Sequence, residues 1–577
     1  MGVPQQRLQT IAPSVRVPWW GAHAWSLRFL RLGVLVGSVG WFALRFHPYV
    51  SQRLVDGLWV LAIGLWVLEV RQIAGVTLFG LHISSRQVVP IVALIAVFIL
   101  AWLPFWDNWR WAYTGDSLGE YAGVINFIRA PQNVLSIHGV DDTITWLHLL
   151  TYNCLMFVFE PTFFWHRAGK LLISCCALAA IYTYFTLVVG RWWALAVVFC
   201  VATNYVWIWF SYVSYEFIDS YIFYFLSLTF AQLIWWHPDR LGLWMVCGLL
   251  GGLALFFAQP AWSAVAAVGI VLALFALKTR RFRPLAVYTL SFLVVGLPIF
   301  LQGIPGNRAA RMFLEWDYLR SVFTQVLRLA YTSSFRHIGV YDGFLRWPLS
   351  ELYIVGAVAA GLGVVPFLRR KLRLPPVAPV LLVLLLWDAV LLTLTNNGYG
   401  TPSSKRAYNL IPLQIFFALL PLYVLWAWCR GRHLLRVGAG LVIVTALGVY
   451  AAGSLRVIRY PTPHLYGENS LDGFIELRQR FPDRKVVFLS SREEYGRDLA
   501  PKSFFDTTYR LMDQLVLESE FSDATVERAC QARSIVCMEP AFDHQLFGQL
   551  SRKNGNGFSP FVLLNSTSLA CYECDNA

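Results

Sequence analysis

The chain has 577 residues, of which 57% are hydrophobic, 16% are aromatic and only 14% are charged. Soluble domains usually have about 25% charged residues, and with a mean hydropathy of +0.55 this chain has too few polar side chains to cover a water-soluble globule. The composition argues against a soluble enzyme, excludes disorder, fibrous repeats and small disulfide scaffolds, and predicts a membrane protein.

The net charge of +14 comes from 47 Lys and Arg residues against 33 Asp and Glu residues. On a soluble protein this excess would suggest a nucleic-acid partner. Here the basic residues fall mainly between apolar segments, where cytoplasmic loops collect Lys and Arg, and no basic stretch is interleaved with an aromatic nucleic-acid motif. We therefore expect membrane lipids, and no nucleic acid, as partners.

Thirteen apolar segments are close to the length of about 18 residues that a helix needs to cross the hydrocarbon core of a bilayer. We predict a polytopic α-helical membrane protein with these segments as its transmembrane helices. The predicted spans are 29–45, 54–70, 88–105, 168–190, 192–212, 218–236, 241–258, 262–277, 285–302, 352–368, 377–395, 410–428 and 437–454.

The distribution of basic residues orients the spans. With the N-terminus in the cytoplasm, the cytoplasmic segments hold nineteen Lys and Arg residues, whereas the short loops on the other face hold four. Residues 1–28 are polar and basic without a cleavage site, so they are predicted to be a cytoplasmic segment before an uncleaved anchor. Residues 29–454 form the transmembrane domain, whose long external loops are 106–167 and 303–351.

Residues 455–577 have the composition of an ordinary soluble domain and follow the last span on the extracytoplasmic side. Short β-branched runs at 485–489, 534–537 and 561–564 alternate with helical patterns, which predicts a small α/β domain.

Four cysteines lie in this predicted domain. An even number of cysteines in an oxidising compartment favours disulfide bonds, and the Cys-x-x-Cys spacing leaves a redox or zinc role as an alternative. The disulfide candidates are Cys530, Cys537, Cys571 and Cys574.

An acidic pair follows the third span. If Asp116 begins a helix, as Asp commonly does, Glu120 lies one turn later on the same helix face. The two carboxylates would then face the same cavity at the outer end of the bundle. An N-cap next to a solvated acid is the alternative interpretation.

With this acidic motif just past an early span, about a dozen spans in all and an extracytoplasmic C-terminal domain, the chain resembles the GT-C glycosyltransferases. That family includes protein O-mannosyltransferases and the aminoarabinose transferases of lipid A, and the resemblance covers residues 88–454. The family has an acidic motif in its first external loop, often adjacent Asp-Glu, with Asp as the catalytic residue. The resemblance implies this role for Asp116, although here Ser117 follows and the next acid is Glu120.

The segment 396–412 also resembles the family, because Lys405, Arg406, Tyr408 and Pro412 are similar to the Arg-Tyr-plus-Pro pattern that begins a late span in several of these transferases. A basic pair that anchors a helix at the lipid headgroups is the alternative. Tyr408 is a candidate for lining the cavity.

The chemistry of a lipid-phosphate sugar explains why Arg and Lys are expected at such a site. The leaving group is an anionic phosphate, which the planar fork of Arg and the point charge of Lys can stabilise. Lys405 and Arg406 are therefore donor-phosphate candidates, as are Arg308 and Arg311 in the loop 303–351, where ordinary surface contacts are the alternative.

The acceptor must lose a proton as it attacks the sugar, and a carboxylate such as Asp116 can act as general base in an inverting displacement. Glu120 either stabilises a transition state with oxocarbenium character or joins Asp116 in holding a divalent cation on the phosphate. The sequence leaves both roles open and identifies no further cofactor.

Three other acidic residues are cavity-lining candidates. Glu216 and Asp219 flank the short loop between the spans 192–212 and 218–236, on the same side as Asp116, and solvation of helix ends is the alternative for both. Asp388 interrupts the apolar span 377–395, where an ionisable residue is a functional candidate because lipid exposure is costly; a buried, hydrogen-bonded packing role is equally compatible.

These observations predict a glycosyltransferase that moves a sugar from a polyprenyl-phosphate donor to an extracytoplasmic lipid, glycan or protein acceptor. The expected location is the bacterial inner membrane. A secondary transporter or lipid-carrier flippase is the alternative, although no repeated halves or midplane charges support it. An oligosaccharide polymerase or ligase fits the arginine-rich loop but not the early acidic motif.

Overall fold

The fold is taken from a computed structural model, which describes the residues in the following ranges: 32–36, 52–74, 85–102, 124, 127, 145–159, 163–213, 218–257, 260–302, 345–395, 410–429, 431–458, 481, 483–490, 514–517, 535–538, 558–561 and 570–574.

In the described part of the chain, the helices precede the strands. The structure gives a short helical segment at 32–36 and then these helices: α1 (Gln52–Ala74), α2 (Ser85–Trp102), α3 (Trp146–Tyr152), α4 (Cys154–Val158), α5 (Phe163–Val189), α6 (Arg191–Ala202), α7 (Tyr205–Val213), α8 (Ser220–Trp236), α9 (Leu241–Ala254), α10 (Pro260–Thr279), α11 (Phe282–Gln302), α12 (Leu349–Leu362), α13 (Pro366–Lys371), α14 (Ala378–Thr395), α15 (Ile411–Trp428) and α16 (His433–Ile458).

The predicted span 192–212 is not one helix but two, α6 and α7. Asn204 separates them, because its Oδ1 accepts hydrogen bonds from the backbone N–H groups of Val206 and Trp207 at 2.9 and 3.1 Å. Its Nδ2 donates to the hydroxyl of Tyr450 in α16 at 2.7 Å. The side chain of Asn204 therefore caps α7, and its hydrogen bond to Tyr450 connects the break between α6 and α7 to α16.

The predicted span 352–368 is also divided, into α12 and α13. Pro366 stands at the first turn of α13. A proline has no N–H to continue the preceding helix, and its fixed φ suits the start of a new one. The chain therefore ends α12 at Leu362 and restarts at Pro366.

Most of the buried apolar side chains among the described residues belong to two cores. The larger core takes buried side chains from α5 to α8, α12 and α14 to α16. The smaller core takes them from α1 and from α8 to α11. α8 contributes to both, with Tyr221, Tyr224 and Phe225 in the larger core and Ile234 in the smaller one. This helix therefore connects the two halves of the bundle.

Glycines allow two helix pairs to approach closely. A Cβ at Gly248 or Gly252 in α9 would lie 2.3 Å from the Tyr288 carbonyl oxygen or 2.6 Å from the Phe292 carbonyl oxygen in α11. A Cβ at Gly356 in α12 would lie only 1.8 Å from a carbonyl oxygen of α15. Small residues at such interfaces are typical of membrane helices, where close backbone contact drives association.

Among the residues that the structure describes, three helical segments are long and apolar enough to cross a membrane: 165–189, 411–428 and 433–456. In the last segment, only 17% of an apolar 18-residue window is buried by the rest of the protein. Large apolar side chains such as Leu434 and Val444 are exposed there, by 85% and 68%. An exposed surface of this character suits lipid and not water.

The strands β1 (Val486–Ser490), β2 (Gln514–Leu517), β3 (Ile535–Met538), β4 (Phe558–Phe561) and β5 (Ala570–Cys574) form a sheet in the order β2-β1-β3-β5-β4. β1 is parallel to β2 and β3, and β5 is antiparallel to β3 and β4.

Two of the predicted runs coincide with β1 and β3. The third run, 561–564, only touches β4, which lies earlier in the chain and includes Pro560. β4 is the last strand in the sheet order, and proline in a sheet is largely confined to edge strands because it has no N–H for a neighbouring strand. The predicted helical parts and the bounds 455–577 of this domain stay predictions.

Candidate functional site

Two of the acidic candidates, Asp219 and Asp388, are described by the structure. The other predicted site residues lie outside the described residues and stay predictions: Asp116, Glu120, Glu216, Arg308, Arg311, Lys405, Arg406 and Tyr408.

Asp219 lies immediately before α8 and is buried against α3. Its Oδ2 is 2.7 Å from Nε2 of His148, and the two side chains are 2% and 1% exposed. The ring of His148 also contacts Phe257, with centroids 5.4 Å apart. Asp219 is therefore a partner in a buried polar contact and does not merely solvate a helix end.

Thr145 fixes the position of His148. Its Oγ1 caps α3 by accepting a hydrogen bond from the backbone N–H of His148 at 3.2 Å and donates to the carbonyl oxygen of Phe256 at 2.8 Å. Phe256 lies two residues after the end of α9. The end of the predicted external loop 106–167 is thereby attached to two helices of the bundle, α8 through Asp219 and the end of α9 through Phe256.

A second buried contact joins α3 to α5. Asn153 donates from Nδ2 to the carbonyl oxygen of Leu149 at 2.9 Å, so its Oδ1 is available as an acceptor. Nδ1 of His166 lies 2.5 Å from this oxygen. The amide can only accept at Oδ1, so the Nδ1 of His166 carries the proton in this contact.

Two basic side chains follow His166 on α5. Arg167 and Lys170 are 2% and 0% exposed and lie one turn apart on the same helix face. The face continues through Ser174, whose Oγ contacts the carbonyl oxygen of Lys170 at 2.9 Å and the Oγ of Ser211 in α7 at 3.0 Å. A row of buried polar side chains therefore extends along α5 from near its beginning into the interior of the bundle.

We refer to His148, His166, Arg167, Lys170 and Asp219 as the buried polar cluster. Arg is charged at any physiological pH, and Lys is charged wherever an anion is near. The carboxylate of Asp219 contacts His148. Arg167 and Lys170 place two buried basic groups on one face of α5. Basic groups of these two kinds are suited to binding a phosphate or a carboxylate.

Asp388 lies deeper in the bundle, where Oδ2 accepts a hydrogen bond from the hydroxyl of Tyr224 in α8. Tyr224 is five residues after Asp219, which is about 7.5 Å along a helix axis. Asp388 is 1% exposed. The buried, hydrogen-bonded alternative for Asp388 is therefore what the structure shows, and a part in lining a cavity stays a prediction.

His166, Arg167 and Lys170 are not among the site residues predicted from the sequence. The signal was present, because Lys170 lies inside the predicted span 168–190 and an ionisable residue within a span is a functional candidate. A basic residue near the end of a span is ordinarily placed at the lipid headgroups, which hides this signal. Only the packing of α3 and α8 against α5 shows that the side chains are buried.

The sheet register relates two of the disulfide candidates. Cys537 in β3 is the register partner of Cys571 in antiparallel β5, and Cys574 at the end of β5 is the register partner of Phe558. Cys530 lies outside the described residues. Among the described residues there is no group of three or more His, Cys, Asp or Glu side chains that could hold a metal ion.

No protein-family model matches the sequence, and a search of curated proteins finds no match. Among solved structures, the chain is similar to ArnT from Cupriavidus metallidurans bound to undecaprenyl phosphate, with 14% identity, 84% of this chain and 98% of that chain covered, and a TM-score of 0.47. It is also similar to the oligosaccharyltransferase AglB from Archaeoglobus fulgidus in complex with an inhibitory peptide and a dolichol-phosphate, with 10% identity, coverage of 83% and 75%, and a TM-score of 0.45. Both are GT-C glycosyltransferases, the family that the sequence resembles.

Proposed function

We propose that this protein is a membrane glycosyltransferase that moves a sugar from a polyprenyl-phosphate donor to an extracytoplasmic lipid, glycan or protein acceptor. The observation that carries the proposal is the burial of Arg167 and Lys170 on one face of α5. Two basic side chains are expensive inside a helical membrane domain, and such residues are retained mainly where they bind a substrate or ion. An anionic lipid phosphate is a ligand of matching charge.

In this proposal, Arg167 and Lys170 bind the inner side of the donor phosphate. The guanidinium group offers paired N–H donors to two phosphate oxygens, and the ammonium group adds a compact charge. The loop residues Lys405 and Arg406, together with Arg308 and Arg311, are assigned to its outer side.

The buried contacts of α3 have a positioning role. His148 and Thr145 attach the end of the loop 106–167 to Asp219 and to the carbonyl oxygen of Phe256. Asp116 belongs to the same loop, nearer its beginning. Attachment of the loop end reduces the conformational freedom of the loop, which lowers the entropy lost when the catalytic carboxylate is brought to the substrate.

The reaction is a displacement at the anomeric carbon. The acceptor oxygen or nitrogen forms a bond to this carbon as the bond to the phosphate oxygen breaks, and the electron pair of the broken bond leaves with the polyprenyl phosphate. Asp116 takes the proton that the acceptor loses. Attack opposite the leaving group inverts the anomeric centre. The basic side chains stabilise the phosphate as its negative charge increases.

The orientation of the site follows from the charge pattern of the loops. The residues at the beginning of α5 and α8 are on the predicted extracytoplasmic side, as are the loop residues assigned to the reaction. We propose the bacterial inner membrane as the location and residues 455–577 as an extracytoplasmic domain beside the acceptor.

The test of the phosphate site is the variant Lys170→Met, which keeps the length of the side chain and removes its charge. A hydrogen bond to a charged group contributes roughly 1.5–3 kcal/mol, so we expect about a 10- to 100-fold higher KM for the donor. The measurement is transfer of a radiolabelled sugar from polyprenyl phosphate in membranes. Lys278→Met, at an exposed position at the end of α10, is the matched control. An unchanged donor KM in Lys170→Met would contradict the phosphate role.

The catalytic role is tested with Asp116→Asn, which keeps the size of the side chain and removes its charge. General-base catalysis contributes about 10²- to 10⁴-fold, so kcat should fall by at least about 100-fold while expression and membrane insertion are retained. Asp142→Asn, in the same loop, is the control.

Treatment of the wild type with EDTA distinguishes the two roles of Glu120, since only a cation-binding role predicts loss of activity. Substrate movement across vesicles without any glycosidic product would contradict the enzyme assignment and favour a transporter.

A further inference from the structure

A second site lies at the opposite helix ends from the buried polar cluster. It is a cavity of about 950 Å³ whose walls come from α2, α6, α15 and α16. Lys170 lies about two turns after the beginning of α5 and Gly190 directly follows its end. The two residues are twenty positions apart, which corresponds to about 30 Å along a helix. This distance is the thickness of the hydrocarbon core of a bilayer. The cavity and the cluster therefore face different leaflets.

The walls of the cavity are apolar over most of their length. Leu94 from α2, Phe199 from α6, and Ile443 and Leu447 from α16 are among the lining residues. The volume is near the upper end of the range of about 300–1,000 Å³ that small-molecule sites occupy. A soluble anion would leave most of this apolar surface without a partner, so the shape and lining suit a molecule with hydrocarbon chains.

The polar end of the cavity is basic. Arg191 and Arg436 line it, and no acidic side chain is among its described lining residues. The guanidinium carbon of Arg436 lies 4.6 Å from the ring centroid of Trp426, and that of Arg191 lies 4.9 Å from the ring centroid of Trp192. Stacking on an aromatic ring holds a guanidinium in place while its N–H groups stay available.

The helix directions strengthen this positive end. Arg191 is the first residue of α6, and Arg436 is in the first turn of α16. The N-terminus of a helix carries partial positive charge and unpaired N–H groups, both of which favour an anion. Gly190, the N-cap of α6, has a φ of +88°, a left-handed conformation suited to glycine, and it turns the chain sharply from α5 into α6.

We propose that this cavity binds an anionic phospholipid, with its phosphate between Arg191 and Arg436 and its acyl chains along the apolar walls. Basic pockets between membrane helices are the sites that suit anionic lipid headgroups. By the charge pattern, the lipid comes from the cytoplasmic leaflet. The proposal does not depend on the proposed enzyme activity, because the site is about a membrane thickness away from the cluster.

The first test compares phosphatidylglycerol with phosphatidylcholine of the same acyl chains, added to delipidated full-length protein and measured by native mass spectrometry. We expect the wild type to prefer phosphatidylglycerol. Each basic residue near a lipid surface contributes about fivefold in affinity, so the double variant Arg191→Gln/Arg436→Gln should bind phosphatidylglycerol about 30-fold more weakly. Arg283→Gln/Arg370→Gln changes two exposed arginines outside the cavity lining and should bind like the wild type.

A second variant tests the apolar part without changing the charge. A Cβ at Gly440 would lie 3.6 Å from the Trp426 ring, which is an ordinary contact, so Gly440→Leu should be accommodated while the longer side chain enters the cavity. Leucine also favours the helix over glycine. We expect this variant to lose both lipids at this site while it keeps the thermal unfolding midpoint of the wild type.

Four results would overturn the proposal. The first is equal binding of the two lipids by the wild type. The second is undiminished phosphatidylglycerol binding in either cavity variant. The third is the same loss of binding in the Arg283→Gln/Arg370→Gln control. The fourth is a co-purified polypeptide that cross-links to the cavity walls in place of lipid. If the double arginine variant does not fold, Gly440→Leu alone decides between lipid binding and its absence.

Discussion

Gly356 is the position where one added methyl group should disturb the bundle most. It lies in α12, and an ideal Cβ there would be 1.8 Å from the carbonyl oxygen and 2.7 Å from the carbonyl carbon of Phe417 in α15, and 3.1 Å from Cδ of Pro421. These neighbours are rigid backbone and ring atoms and not the flexible ends of side chains. We therefore predict that Gly356→Ala forces α12 and α15 apart.

The size of the effect follows from these distances. The closest favourable contact between carbon and a carbonyl oxygen is about 3.3 Å, so the two atoms must separate by about 1.5 Å. Overpacking a well-packed interior costs about 1–3 kcal/mol, and the rigid neighbours place this site at the upper end. The better helix propensity of alanine offsets up to about 1 kcal/mol. The net effect is a loss of about 2 kcal/mol in the free energy of unfolding.

The assay is thermal unfolding of the purified protein in detergent at a fixed heating rate, since membrane proteins often unfold irreversibly. A loss of about 2 kcal/mol should lower the midpoint by roughly 4–8 °C, on the scale of larger soluble domains. Gly448→Ala is the control, because no heavy atom lies within 4 Å of a Cβ there. Gly248→Ala, whose Cβ would lie 2.3 Å from a carbonyl oxygen, should resemble Gly356→Ala. Equal midpoints for Gly356→Ala and Gly448→Ala would refute the reasoning.

Three further predictions follow from single contacts. Asn204→Ala removes the cap of α7 and should lower the free energy of unfolding by about 1–2 kcal/mol, which the same thermal assay detects as a lower midpoint. Asn204→Ser retains a capping oxygen and should recover part of this loss. Asp219→Ala should destabilise the protein by about 3 kcal/mol, more than Asp219→Asn, and a double-mutant cycle with His148→Ala should be non-additive; additive midpoints would contradict a direct contact. Cys537 and Cys571 should form a disulfide, because register partners on antiparallel strands have Cα atoms about 4.5–5.5 Å apart, and peptide mapping under non-reducing conditions that finds any other pairing would contradict it.

The helices and the site differ in how far the sequence predicts them. Apolar composition depends only on the local chain, so the predicted segments coincide closely with helices such as α5, α14 and α15. The break at Asn204 was missed, because an asparagine among apolar residues does not identify which backbone groups it caps. Similarly, Lys170 has the same local sequence whether it reaches the headgroups or is buried, and the choice depends on the helices packed against α5.

The sequence by itself predicts that lipid surrounds much of this protein and predicts the orientation of its helices, since both predictions rest on sums over many residues: total apolar content and the distribution of Lys and Arg among the loops. The tertiary structure alone decided which polar side chains meet. His148 and Asp219 are separated by seventy residues of chain and come together only because α3 and α8 pack at the same end of the bundle. Burial depends on neighbours that are distant in sequence, and this is why the chemistry of Arg167 and Lys170 became visible only in the folded protein.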